Sequence, residues 1–264
     1  MHIAGKTALV TGATGLLGRQ LAHQLAARDA RLLLTARRRD DLNDLARQLG
    51  GEAIVADLAT RAGVESLMRQ AGDVDIVVAN AALMPFGLMP ADFTADEVDY
   101  LLDLNLRCQV HLAHLATEQM ASRGGGHFVF VLSLAAKYAS RRASLYNCAK
   151  FGLRGFSRAL REDLRPLDVG VSSVLPGFIR SPESNRPEVK LPWWTGGSSS
   201  AQHIARATMR AVERNRGEII VAPPGMRIIA TLTAAFPERA NAVHRRLHHD
   251  SITQALHAGG QVHR

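Results

Sequence analysis

The chain has 264 residues, 47% of them apolar and 21% charged, with a net charge of +8. That length holds one large core or two small ones, and two cysteines, Cys108 and Cys148, give no disulfide framework. No apolar run is long enough to span a bilayer and no signal-peptide pattern precedes the first strand, so a cytoplasmic location is expected; the arginines are spread over many segments, which reads as solvated surface and not as a nucleic-acid tract.

Lys6 to Val10 is the first apolar strand, followed by Thr11-Gly12-Ala13-Thr14-Gly15-Leu16-Leu17-Gly18 and a helix to Ala27 with Leu17, Leu21 and Leu25 on one face. Strand, glycine loop and helix is the context in which glycines carry meaning. Gly12 allows a tight turn, Gly15 lets backbone N–H groups approach a pyrophosphate, and Gly18 allows close packing behind a helix N-terminus that favours an anion. Arg31 to Thr35 is the second strand and runs into Arg37, Arg38 and Arg39, where a site for NAD(H) would place a carboxylate. Guanidinium groups at that position suit the 2′-phosphate of NADP(H).

Helices over Asp40 to Gly50 and Thr60 to Ala71 alternate with strands at Ala53 to Ala56, ending on Asp57 and Leu58, and at Asp75 to Ala79, ending on Asn80, Ala81 and Ala82. This alternation indicates a Rossmann-like, doubly wound α/β fold with a mainly parallel seven-stranded sheet. Ligands sit beyond the carboxyl ends of such strands, where Gly12, Arg37, Asp57, Asn80 and Ser133 all fall. Leu83 to Phe93 is an apolar loop broken by prolines. Thr94 to Met120 reads as one long helix with a capping box at Thr94–Glu97 and with Asn105 in its middle, either an exposed polar position or a buried irregularity with a function.

His127 to Leu134 is the fifth strand and carries Ser133. In a helix over Leu145 to Asp163, Tyr146 and Lys150 lie one turn apart on one face. An ammonium beside a phenol stabilises the phenolate and lowers its pKa, which makes the pair a candidate acid–base device. Cys148, between them, reads as a small buried residue. Arg154, Arg158, Arg161 and Arg165 form a basic stripe on the same helix, a solvated face or a subunit contact. Val169 to Leu175 is the sixth strand, and Pro182 to Ser200, rich in proline and serine and holding Trp193-Trp194, is an irregular insertion suited to a lid. Ala201 to Arg214 is helical, Glu218 to Ala222 is the seventh strand, Met226 to Phe236 is apolar, and Pro237 to His249 is basic and helical in pattern. His244 and His248 sit four residues apart without a completing acidic or cysteine partner, so no metal site is expected. One domain is expected over residues 1–264, with the insertion at about 182–200 and a C-terminal extension at about 225–264.

With Asn105, Ser133, Tyr146 and Lys150 in place, the chain resembles the short-chain dehydrogenase/reductase family, in its short single-domain branch, from Lys6 to about Ala222. The resemblance implies that Tyr146 is the general acid/base, that Lys150 tunes it and holds the nicotinamide ribose, that Ser133 positions the carbonyl or alcohol, and that Asn105 holds a relay water. It further implies cofactor contacts from Gly12, Thr14, Gly15, Leu16, Leu17 and Gly18, from Arg37 and Arg38, from Asp57 and Leu58 at the adenine, and from Asn80, Ala81 and Ala82 at its ribose. Pro176, Gly177, Ile179 and Ser181 then resemble the nicotinamide-binding element. The implied activity is interconversion of a carbonyl and a secondary alcohol, in a homodimer or homotetramer; Leu101, Leu104 and Cys108 offer one apolar strip, which could serve that contact or equally face the chain's own sheet. The apolar residues of the loop over Leu83 to Phe93, with Trp193 and Trp194, make an apolar ketone or alcohol the expected substrate. The Gly12, Gly15, Gly18 spacing matches the family's longer, sugar-nucleotide branch, which keeps an epimerase or dehydratase as an alternative, beside a non-catalytic nucleotide sensor.

Overall fold

A computed structural model of the chain describes residues 1–84, 88–180 and 197–239. The strands are β1 (Thr7–Thr11), β2 (Arg31–Ala36), β3 (Glu52–Val55), β4 (Ile76–Ala79), β5 (Gly126–Val131), β6 (Val169–Pro176), β7 (Ile179–Arg180), β8 (Ser199–Ser200) and β9 (Glu218–Val221). The helices are α1 (Leu16–Ala26), α2 (Arg39–Leu49), α3 (Arg61–Ala71), α4 (Ala95–Leu102), α5 (Cys108–Ser122), α6 (Ser144–Leu164), α7 (Ala201–Glu213) and α8 (Pro224–Ala235). Seven strands form one parallel sheet in the order β3-β2-β1-β4-β5-β6-β9, and β7 pairs with β8 in a separate short ribbon. This is the Rossmann-like doubly wound sheet that the sequence pattern predicts.

The strands are apolar on both faces because helices cover both sides. Side chains alternate across the sheet, so Leu9, Val77, Phe128 and Phe130 pack with Leu67, Leu112 and Leu153 of α3, α5 and α6. Their neighbours Ala8, Val10, Ile76, Val78 and Val129 pack with Leu21, Leu42 and Ile204 of α1, α2 and α7. The chain reverses direction across the sheet between β1 and β4, which leaves a crevice above their carboxyl ends.

The helix predicted over Thr94 to Met120 is divided. Asp103–Arg107 between α4 and α5 is a π turn, wider than an α-helical one. Apolar periodicity runs unbroken across it, which is why the sequence reads as one helix. Of the two readings of Leu101, Leu104 and Cys108, the one found is burial within the chain itself. Proline does not simply end β9: Pro223 is the N-cap of α8 and Pro224 its first residue, where a missing N–H costs nothing. Most of the insertion expected at Pro182 to Ser200, and most of the helix expected at Pro237 to His249, lies outside the described residues; Ser199–Ser200 returns beside Ile179–Arg180.

Candidate active site

The glycine loop closes on itself. Gly12 has φ +63°, a left-handed conformation that glycine adopts without strain, and a Cβ there would stand 2.9 Å from the Ala81 Cα. A Cβ on Gly18 would stand 2.1 Å from the Gly12 carbonyl oxygen, so the close packing is against the loop itself. Gly15 is the N-cap of α1, no side chain caps it, and the first turn holds no acidic residue. The loop is a cradle of backbone N–H groups at an uncapped helix N-terminus, which fits a pyrophosphate. Thr14, Leu16 and Leu17 belong to the same turn, with Leu17 buried beneath it.

Thr11 and Asn80 hold this cradle to β4. The Asn80 side-chain amide donates to the carbonyls of Thr11 at 3.0 Å and Gly12 at 3.2 Å. The Thr11 hydroxyl oxygen accepts from the N–H groups of Asn80 at 2.9 Å and Ala81 at 3.0 Å. Asn80 thus acts on the loop backbone, and Ala82 is exposed beside it. Thr11 was not singled out by the sequence; a hydroxyl on the last residue of a buried strand is the signal that could have found it.

At the end of β2, Arg37 donates to the Tyr100 hydroxyl at 2.6 Å, reaching across to α4. Arg38 is the N-cap of α2 and pairs with Asp41 at 2.6 Å while remaining largely exposed. Asp57 follows β3 and accepts from the Ala59 N–H at 3.1 Å, with Leu58 buried next to it. At the far side, Pro176 ends β6, and a Cβ on Gly177 would stand 2.9 Å from the Ala222 Cβ. Ile179 opens β7, and Ser181 lies outside the described residues.

Ser133, Tyr146 and Lys150 meet above β5. Ser133 ends the chain's exit from that strand, and its hydroxyl is hydrogen-bonded to the Tyr146 phenol. Lys150 is buried, donates to the Val131 carbonyl at 3.0 Å and has its Nζ 5.7 Å from the centroid of the Tyr146 ring. Burial pushes the Tyr146 phenol up to about 12, against the pull of the Ser133 hydrogen bond. Burial also pulls Lys150 down to about 8, with Cys108 acting the other way. The expected depression of the phenol is not seen in the protein by itself, where burial is the first influence on both groups.

Two further asparagines frame the site. Asn105 lies in the π turn, is 1% exposed, and pairs with Leu83 through both amide atoms, 2.9 Å from its N–H and 3.0 Å from its carbonyl. That is the buried irregularity among the two readings of Asn105, and its side chain holds the loop after β4. Gln109 donates to the Ala81 and Asn105 carbonyls, both at 3.3 Å, and joins the π turn to β4. Asn147, beside Tyr146, donates to the Ala135 and Tyr138 carbonyls at 2.7 and 2.9 Å and accepts from the Ser140 N–H at 3.1 Å. It fixes the segment from Ser133 to the start of α6. A low-propensity polar residue inside a helix is the signal it shares with Asn105.

Several expectations are corrected here. Cys148 is exposed, because α6 turns it away from the face that carries Tyr146 and Lys150. The basic stripe on α6 is not merely solvated: Arg154 pairs bidentately with Glu218 at 2.7 and 3.1 Å, and Arg161 donates to the Val171 carbonyl at 2.6 Å and to Asn215. Phe86, Arg186, Lys190, Trp193, Trp194, His244, His248 and His249 lie outside the described residues.

A doubly wound α/β protein with a glycine cradle and a Ser–Tyr–Lys cluster at the carboxyl ends of its strands is thus defined. The chain belongs to the short-chain dehydrogenase/reductase family: residues 6–189 match the short chain dehydrogenase family. It is 31% identical over 188 residues to the human dehydrogenase/reductase SDR family member 4, covering 68% of each chain. It is 29% identical to the ketoacyl reductase HetN of Nostoc sp., covering 83% of this chain and 79% of that one. A solved structure of a short chain dehydrogenase/reductase family protein superposes with a TM-score of 0.77 at 29% identity, over 84% of this chain and 97% of that one. The chain is accordingly an oxidoreductase of a family that uses nicotinamide cofactors. Among the described residues no helix is long and apolar enough to cross a membrane.

Proposed function

We propose that this chain, one domain over 1–264, reduces a carbonyl on a largely apolar substrate with NADPH, and that Tyr146 donates the proton. The observation that carries the reading is the buried Ser133–Tyr146 hydrogen bond with the Lys150 ammonium 5.7 Å from the phenol ring. In the protein by itself the phenol is protonated at neutral pH, as a group that is to donate a proton must be.

When bound, NADPH supplies the hydride. The Gly12–Gly18 amides hold its pyrophosphate, Asp57 and Leu58 its adenine, and Asn80 to Ala82 the adjoining ribose. Arg37 and Arg38 take the 2′-phosphate, with no carboxylate at the end of β2 to prefer a free hydroxyl. Lys150 holds the nicotinamide ribose, and Pro176, Gly177, Ile179 and Ser181 border the ring. Ser133 and Tyr146 both hydrogen-bond the substrate carbonyl oxygen, which takes its proton from Tyr146 as the carbon becomes tetrahedral. The proton is replaced by way of Lys150. Asn105 keeps Leu83 and the π turn in place behind it.

An apolar substrate is supported by the loop after β4, where Met84 is 56% and Met89 50% exposed. Such surface is not usually left to water. Kinship to a ketoacyl reductase fits a carbonyl on an acyl chain. A homodimer or homotetramer would use outer faces of α5 and α6, where Leu115 and Phe151 are exposed. The test is a panel of ketones of rising chain length with NADPH and with NADH, followed by absorbance of the reduced cofactor, with light scattering for the assembly. Oxidation of NADPH by apolar ketones, with kcat/KM rising by up to about 0.8 kcal/mol per methylene, is expected. Turnover confined to small polar carbonyls, or none with any ketone, would overturn the reading.

A further inference from the structure

The far edge of the sheet carries a charged cleft that the reaction does not use. It lies between α7, β9 and the start of α8 and encloses about 260 Å³. His203, Arg210 and Arg214 follow one face of α7, with Arg216 on the next turn and Arg227 on α8 opposite. Between them the floor is apolar: Ala207 and Ala211 on the helix, and Ile219 to Val221 on the strand. The helical spacing explains this: 203, 207, 210, 211 and 214 recur every three or four residues, so small alanines fall beneath a cationic rim.

Among the described residues this rim has no counter-charge. The two nearest carboxylates point elsewhere: Glu213 pairs with Arg28 at 2.8 Å, and Glu218 pairs with Arg154 at 2.7 Å on the other side of the sheet. Among the described residues, Arg210, Arg214, Arg216 and Arg227 make no ion pair. Four guanidinium groups around one apolar trough repel one another in the free protein, and the repulsion is relieved by an anionic occupant. β9 is also the last strand of the sheet, so among the described residues one of its edges is unpaired.

The stretches outside the described residues carry no acidic excess to match it. Residues 240–264 hold Arg245, Arg246 and Arg264 against one acid, Asp250, and residues 181–196 balance Glu183 and Glu188 with Arg186 and Lys190. A second copy would bring the same positive rim against this one. A small inorganic anion would satisfy the arginines but leave the apolar floor wet. We propose that the cleft docks an acidic amphipathic segment of another protein, its carboxylates on the arginine rim and its apolar side chains on the alanine and isoleucine floor. The proposal rests on the cleft alone and does not depend on the reaction assigned above.

The test uses the full chain and a short dye-labelled helical peptide with glutamates on one face and leucines on the other, titrated by fluorescence anisotropy. A second peptide carries serine in place of leucine. The first peptide should bind, weaken with added salt, and lose affinity about tenfold or more in the Arg210→Glu, Arg214→Glu double variant. The Arg47→Glu, Arg69→Glu pair, on α2 and α3, should bind as the unmodified chain does. If the charge-reversed variant melts early, Arg210→Gln with Arg214→Gln replaces it and should weaken binding in the same direction. Equal binding of the serine peptide would reduce the cleft to general attraction of polyanions, and displacement by inorganic pyrophosphate at the peptide's own concentration would make it a small-anion site. Either result overturns the proposal, as does unchanged binding in the variants. A mass change by light scattering between variant and unmodified chain would assign the cleft to a second copy, and would overturn it too.

Discussion

Asn105 grips the backbone of Leu83 at both ends, accepting from its N–H at 2.9 Å and donating to its carbonyl at 3.0 Å. A buried amide is here matched to a single residue's donor and acceptor, so the loop after β4 is pinned at the point where it leaves the sheet. Asn105→Ala would strand both Leu83 groups, and each buried unpaired group costs about 1–3 kcal/mol. A lowered melting temperature and a raised KM for the ketone are expected, with NADPH affinity less affected. An unchanged KM in a folded variant would mean that the loop does not border the substrate.

The glycines of the cradle should differ sharply in tolerance. A methyl group on Gly18 would meet the Gly12 carbonyl oxygen at 2.1 Å, where backbone cannot yield, whereas on Gly15 its nearest neighbour is at 3.4 Å. Gly18→Ala should cost about 3 kcal/mol or more, and Gly15→Ala no more than about 1 kcal/mol. Thermal melts followed by NADPH titration check both. Equal loss in the two variants would contradict the geometry.

Replacing Tyr146 removes the proposed proton donor without emptying its space. Tyr146→Phe should lower turnover at least about 10²-fold and leave the Kd for NADPH nearly unchanged. Near-normal turnover on a confirmed ketone would reject the assignment.

Lys150 makes a separate statement about pH. Burial holds it at about 8 in the folded chain, against an ordinary 10.5. Between those values the unfolded chain keeps a proton that the folded chain has shed, so this group's contribution to stability rises with pH. From about pH 7 to about pH 9.5, the unmodified chain should gain roughly 1–2 kcal/mol relative to Lys150→Met. Above pH 10 the gap should level off, while both proteins lose stability alike, since Tyr146, held near 12 in each, then ionises first in the unfolded chain. Melts of both proteins across this range check the sign; a gap that narrows with pH would refute it.

Arg37 should decide between the two nicotinamide cofactors. Arg37→Ala is expected to weaken NADPH binding about ten- to a thousandfold and NADH binding little. Tyr100→Phe, which removes the hydroxyl holding Arg37 at 2.6 Å, should have a smaller effect in the same direction. Equal Kd values for NADPH and NADH in the unmodified chain would end this assignment.

Most of the sheet was legible because its strands are short apolar runs between glycine and helix signals, and because the glycine loop follows one of them directly. The Tyr146–Lys150 pair was legible for the same kind of reason, a fixed spacing on one helix. What periodicity could not report is the direction in which a charged side chain turns. Arg154 and Arg161 occupy positions that pattern alone assigns to solvent, yet Glu218 and the Val171 carbonyl draw them inward. Gly217 is the trace they leave in the sequence, since a Cβ there would stand 2.8 Å from the Arg161 Nε. Nor could pattern show that burial would push the Tyr146 phenol up and pull Lys150 down, since that depends on how completely other elements cover them.

The π turn at Asp103–Arg107 has a consequence for how this stretch tolerates changes of length. Each residue of an α-helix advances the chain by about 100° around the axis, and the wide turn absorbs one residue more without turning α4 against α5. Deleting a residue there would let an ordinary α turn close with Leu101 still in the core and Tyr100 still beside Arg37. What the deletion would take away is the placement of Asn105, and with it both bonds to Leu83. A chain one residue shorter at this point can therefore keep both helices and lose only the grip on the loop after β4.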